Sequence, residues 1–397
     1  MAFTMIRKSL IESIFEAASI ERWNDHIRPS RGFTELDKQS HKMICAYVLG
    51  KLEEDVDWLK LIEGGIFEFL HRLLLTDIKP PIFHKLMEEK GEELNKWAIS
   101  QITPDISSIS GGFADRFAEY FLNTNYAAKE KKVLEASHYL ATKWEFDIIY
   151  DMCSTYYGID KTRREIDSKL QRLEEQSFFK AFLHDKNYQG FINLLGELRF
   201  QQRWSRSPRI PATSVIGHMI IVAILSYFCV CETGACKQRL INAFLGGLFH
   251  DVPEVLTRDI VSPVKASVSG LDELIKNIEN EQMENILYPL IPSEWKNEIE
   301  YFTSDEFSDK IIKDGVICMT TSKEISASFN DDKYSPIDGS IIRACDHLSA
   351  CIETYVSHIA GVTSRTLLTA NQELYNRYKN VVIDEIDFGS LFDYFRI

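Results

Sequence analysis

Residues 247–265 read GLFHDVPEVLTRDIVSPVK, and the adjacent pair His250-Asp251 within them decides how the rest of the chain is read. Neighbouring His and Asp side chains reach one point only where a helix leaves regular geometry, and Pro253 just beyond the pair fits such a stop. Gly246-Gly247, one turn earlier, would let that helix approach a neighbour closely. Neutral imidazole and carboxylate suit a borderline divalent metal, manganese, cobalt, iron or zinc. Two more such residues lie outward from the pair: His218 in an apolar, buried-looking helix upstream, and Asp346 in a third helix that follows the turn residues SPIDG (Ser335–Gly339). Helices are the elements that bring them together.

The remainder of the chain agrees. Apolar residues recur at helical spacing almost everywhere and alternating Val, Ile and Thr runs are scarce, so the expected fold class is all-α. Thr34 opens the string TELD, a capping-box pattern ahead of the helix carrying His41. With 397 residues, 45% hydrophobic, 12% aromatic and 26% charged, the composition is that of a packed globular chain and excludes disordered or collagen-like classes. The net charge of −14 disfavours general nucleic-acid binding, although two or three basic side chains in a cleft can still hold a small anion. The eight cysteines are scattered, without a secretory leader, and are expected to be reduced, buried thiols of a cytoplasmic protein. Met219–Cys231, the longest apolar stretch, is shorter than the roughly 20 residues that span a bilayer, so no membrane contact is expected.

Several landmarks occur twice in the same order. Arg22-Trp23 then His41 parallels Arg203-Trp204 then His218; GGIF at Gly64–Phe67 parallels GGLF at Gly246–Phe249. LLLTDIKPPI ending at Ile82 parallels EVLTRDIVSPV ending at Val264, and EASHYLA around His138 parallels ACDHLSA around His347. The order suggests a duplicated helical domain, residues 1–175 and 176–397, divided near the charged helical string Asp160–Gln176.

The ordered pattern H, HD, EVLT-x-D, D, preceded by RW and GH and followed by RACDHL, resembles the HD-domain metal phosphohydrolases, most closely the bacterial 5'-deoxyribonucleotidase branch. The resemblance covers roughly Arg203 to Glu353. It implies one divalent ion held by His218, His250, Asp251 and Asp346, with Glu254 beside the attacking water and Asp259 as a second acid. It further implies that Arg203 and Trp204 hold the phosphate and the sugar-base end of a substrate, with Lys265 also at the phosphate. His347 is a poor ligand if Asp346 points inward, because consecutive helical side chains diverge by about 100°. Arg206 and Arg209, by contrast, read as a solvated loop.

These residue types support such chemistry in their own right. An ion held by two imidazoles and two carboxylates keeps open positions for water and a phosphoryl oxygen; Glu254 would move a proton and Arg203 would grip phosphate bidentately. The expected function is therefore a metal-dependent phosphohydrolase removing phosphate from a small phosphate ester; the narrowest version, a (deoxy)nucleoside 5'-monophosphate as substrate, is what the resemblance implies. The alternatives are a non-catalytic nucleotide-binding regulatory protein, or a hydrolase of longer nucleotides such as a triphosphate or an alarmone. A homodimer rests only on the base rate for oligomers. In the first half, His41 stands opposite His218, but Glu68-Phe69 stands opposite His250-Asp251, Arg72 opposite Glu254 and Ser137 opposite Asp346. That half is expected to be an HD-like bundle lacking the metal-ligand set. It would serve as a packing partner, a dimerisation surface, or a nucleotide pocket retaining Arg22, Trp23 and Lys79.

Overall fold

The computed structural model describes residues 6–23, 33–76, 78–258, 268 and 270–397. Helices dominate: α1 (Lys8–Glu16), α2 (Glu35–Leu52), α3 (Trp58–Leu74), α4 (Pro80–Ile106), α5 (Phe113–Leu122), α6 (Ala128–Cys153), α7 (Ile159–Leu173), α8 (Ser177–His184) and α9 (Lys186–Gly196). After a 3-10 turn at Glu197–Phe200 come α10 (Val215–Cys231), α11 (Lys237–Phe249), the one-turn α12 (Glu254–Thr257), α13 (Leu271–Gln282) and α14 (Ser293–Thr303). The chain then forms α15 (Ser322–Glu324), α16 (Gly339–Ile359), α17 (Arg365–Tyr378) and α18 (Phe388–Asp393). The all-α expectation holds.

Among the described residues strands are confined to two antiparallel hairpins, β1 (Lys310–Lys313) with β2 (Val316–Met319) and β3 (Val382–Ile383) with β4 (Ile386–Asp387). Each turns on two consecutive residues with positive φ, Asp314-Gly315 and Asp384-Glu385, as tight two-residue hairpins require.

Two helices are buried on every face, as befits the centre of a bundle rather than its surface. One is α10, from Val215 to Cys231; the other is α2, from Glu35 to Gly50. They pack on each other, with α11 and α16 also against α10, and α6, α8 and α9 against α2. The two starts are capped alike: Thr34 forms a capping box with Asp37, as the TELD string predicts, and the Ser214 hydroxyl accepts from the Gly217 amide at 3.0 Å. The larger of two apolar cores draws on residues from Ile6 to Phe395 without a break at residue 176, and a small second cluster gathers around Phe146. The charged string at the expected boundary forms α7, mostly solvated, and leans on α6 through Ile159 and Ile166.

Gly247 explains how closely α11 meets α10. A Cβ there would lie 2.7 Å from Ala223 Cα and 2.8 Å from Ala223 N, backbone that has nowhere to go; at Gly246 it would lie 2.8 Å from Ile342 Cδ1 on α16. The glycine pair thus presses the end of α11 into the angle between α10 and α16. All eight cysteines are free thiols, six of them buried. No helix among the described residues is long and apolar enough to cross a membrane.

Candidate metal centre

Helix α10 enters the core behind its Ser214 cap, which places His218 in the first turn with no solvent exposure. His250 follows the last residue of α11, and Asp251 lies in the turn beyond, so the pair sits where helical geometry ends, as the dipeptide required. Asp346 projects from the second turn of α16. His218 Nε2 lies 2.9 Å from Asp346 Oδ1 and 3.7 Å from Asp251 Oδ2, and His250 Nε2 lies 3.2 Å from Asp251 Oδ2. Donor atoms of His218, His250 and Asp346 all fall within 4.8 Å of one another, the metal-ligating group found among the described residues.

Each imidazole is oriented from behind. His250 Nδ1 lies 2.8 Å from the Gly247 carbonyl, which accepts only from an N–H, so the lone pair belongs to Nε2. His218 Nδ1 pairs with the Ser349 hydroxyl at 3.0 Å, three residues along α16 from Asp346. Both Nε2 atoms are buried without a well-aligned hydrogen bond. Two orphaned nitrogens of this kind, facing two carboxylates, make a donor set that fits a divalent ion.

The electrostatics agree. Burial and Arg203 hold His218 below its ordinary value. Burial also opposes charge on His250, but Asp251, Asp346 and the Gly247 carbonyl outweigh it and carry that ring up to about 9. Burial would raise both aspartates, yet the histidines hold Asp251 and Asp346 below the usual carboxylate range. A positive charge is what the centre attracts, and the carboxylate side, 18% and 19% exposed, is where the solvent reaches it.

Arg203 and Trp204 lie beside this centre, fixed by a residue that the sequence reading did not single out. Glu353, fully buried on α16 two turns beyond Asp346, accepts from Trp204 Nε1 at 2.7 Å and from Arg203 Nε at 3.3 Å. It also accepts from Arg209 Nη2 at 3.3 Å and from the Thr213 hydroxyl. Arg209 is therefore no solvated loop residue: it is 6% exposed and ion-paired, which corrects that expectation, whereas Arg206 is exposed. The available signal was spacing, since positions 346, 349 and 353 share one helical face. Trp204 adopts φ 55°, a left-handed backbone that turns its ring toward α16.

Glu254 begins α12, half-buried, and its carbonyl accepts from the Gln201 side chain at 3.0 Å. Asp259 and Lys265 lie outside the described residues, as does Asp77 of the first half. His347 turns away from the centre and pairs with the Tyr378 hydroxyl at 2.7 Å.

The sequence profile of the HD-domain family matches residues 195–375. A 5'-deoxynucleotidase of Pasteurella multocida (strain Pm70) is 27% identical over 122 residues, 30% of this chain and 62% of that protein. A dATP triphosphohydrolase of Acinetobacter phage SH-Ab 15497 is 31% identical over 72 residues, 17% of this chain and 36% of the relative. Ribonuclease Y of Latilactobacillus sakei subsp. sakei (strain 23K) is 28% identical over 102 residues, 26% of this chain and 18% of that enzyme. The chain spans less than two thirds of the length of each of these relatives. Profile, helical bundle and the paired His250-Asp251 agree, and residues 195–375 are an HD domain.

Proposed function

We propose that this HD domain is a divalent-metal-dependent phosphohydrolase acting on a nucleotide, most narrowly a (deoxy)nucleoside 5'-monophosphate. The observation that carries the reading is the convergence of His218 on α10, His250 and Asp251 at the end of α11, and Asp346 on α16, with both Nε2 atoms buried without a well-aligned hydrogen bond. A divalent ion bound there supplies Lewis acidity toward water and a phosphoryl oxygen. The chain's own residues do the rest. Arg203, held by Glu353 at the edge of the centre, brings a guanidinium charge to the phosphate oxygens. Trp204, with its N–H fixed on the same carboxylate, offers its ring to sugar or base. Glu254, three residues past Asp251, orients the attacking water or returns a proton to the leaving oxygen. Asp259 and Lys265 are assigned to the same site by resemblance.

The relatives act on different nucleotides by name, so phosphate count is the open dimension of the substrate. Release of inorganic phosphate and of triphosphate from ribo- and deoxynucleoside mono- and triphosphates, measured with manganese, cobalt or chelator, decides it. Metal-dependent release from monophosphates is expected. Release of triphosphate from a dNTP alone would move the substrate to the longer class, and no release by metal-loaded protein would favour a regulatory nucleotide-binding role. We also propose that residues 1–175 form a second HD-like bundle without the ligand set, and 176–397 the one that carries it.

A further inference from the structure

The first half holds a buried polar cluster whose frame repeats that of the metal centre, part by part. Arg22 N donates to Phe33 O at 2.7 Å as Arg203 N donates to Thr213 O at 3.0 Å. Trp23 has φ 63°, beside 55° at Trp204. Glu145, fully buried on α6, accepts from Trp23 Nε1 at 2.9 Å and Arg22 Nε at 2.8 Å, as Glu353 does from Trp204 and Arg203. Thr34 and Ser214 cap the two central helices.

These anchors fix a register that differs from the sequence parallel. Counting from the caps, Lys38 stands opposite His218; counting back from the two glutamates, His138 stands opposite Asp346. Lys38 Nζ lies 2.6 Å from His138 Nδ1, where the second half has His218 Nε2 on Asp346. His41, which the sequence paired with His218, instead meets the Ile192 carbonyl and Arg199.

Lys38 thus occupies ground that a ligand to an ion holds in the second half. Lys42, one turn after Lys38, pairs with Glu68, and Tyr120 donates to the same carboxylate at 2.5 Å. Arg22 and Arg72 flank Glu35 at 3.0 and 3.6 Å, and Arg199 shares Glu145 at 2.7 Å. Arg22, Lys38, Lys42, Arg72 and Arg199 outnumber Glu35, Glu68 and Glu145, while Asp37 turns away onto Ser214 and Thr34. Lys38, 2% exposed, has no carboxylate at ion-pair distance among the described residues. Its neighbour His138 is held neutral by burial and the surrounding cations. Thr142, on the same face of α6 as His138 and Glu145 and 9% exposed, has a buried hydroxyl with no hydrogen-bond partner among the described residues. Glu68 and Arg72, about a third exposed, open the cluster to solvent.

We propose that this cluster is a metal-free anion site that takes the phosphate of a phosphomonoester, Lys38 and Lys42 supplying the positive charge that an ion supplies in the other half. That the anion is phosphate rests on the reading of the HD domain as a phosphohydrolase; that the site takes an anion does not. The test is calorimetric titration of the full chain carrying Asp251→Asn, stripped with chelator, with inorganic phosphate and with deoxyadenosine 5'-monophosphate. Binding of one phosphate per chain is expected, weakened about tenfold or more by Lys38→Met, Lys42→Met or the partly exposed Arg72→Gln. Tighter binding of the nucleotide than of inorganic phosphate assigns the site to the ester; equal binding assigns it to the phosphate group itself, and both agree with the proposal. No binding at millimolar phosphate overturns it, as does binding that survives Arg72→Gln and Lys42→Met but disappears with Arg203→Gln. Hydrolysis plays no part in the titration, so a failed titration leaves the phosphohydrolase reading intact, and absent turnover leaves the anion site intact.

Discussion

Two arginines and an indole N–H converge on the fully buried carboxylate of Glu353, and that single side chain positions Arg203 for the adjacent centre. Removing its charge leaves the buried Arg209 guanidinium without its ion pair, so Glu353→Gln is expected to lose about 3–5 kcal/mol in urea unfolding. Burial would raise this carboxyl, but Arg209 and Arg203 hold it at about 2, below its ordinary 4.5. The folded state binds its proton later than the unfolded state. The stabilisation is therefore complete above about pH 4.5 and is lost as pH falls toward 2, and Glu353→Gln should remove that part of the acid profile. Lys38 runs the other way: burial pulls it down to about 7 from 10.5, so the unfolded chain binds more protons between those values. Stability should rise with pH across that window, and Lys38→Met should flatten the rise; an unchanged slope would contradict the buried ammonium.

At the scale of elements, Gly247 is where α11 touches the backbone of α10, and His250 is three residues on. Gly247→Ala forces the helices apart and should cost about 1–3 kcal/mol while weakening metal binding, read as a lower Tm and a lower affinity in the same sample. A variant as stable and as tight as the wild type would show that the close approach is unimportant. This contact was legible in the sequence because a glycine pair ahead of His-Asp has few other uses, and the TELD cap was legible because a cap is local. Glu353 and Arg209 were not. Their partners lie some 140–150 residues away, and composition carries no record of which distant charges meet. Nor was the register proposed for α2: the nearest histidine after Arg-Trp is His41, which lies seven residues beyond the Thr34 cap, whereas His218 lies four beyond the Ser214 cap.

For the whole molecule, the decisive fact is that α2 and α10 lie side by side, each buried on every face, within one core. Polar contacts also join residues 1–175 to residues 176–397: Ser214 donates to Asp37, Tyr47 to Glu298 at 2.6 Å, and Tyr227 to Glu63. Residues 1–175 and 176–397 thus meet along a shared apolar core, and they are expected to unfold together. A fragment comprising residues 176–397 leaves one side of α10 facing water, and it is expected to lack a cooperative thermal transition that the full chain shows. A fragment that melted as sharply, at the same temperature, would overturn the shared-core account.

The most direct test of the central claim joins metal content to turnover. Divalent metal per chain, by atomic absorption, and phosphate release from deoxynucleoside monophosphates should be measured on the same samples of wild type and Asp346→Asn, with folding checked by circular dichroism. One ion per wild-type chain is expected, and ion and phosphate release should disappear together in the folded variant. An Asp346→Asn chain that kept one tightly bound ion and full phosphate release would contradict the assignment of the site.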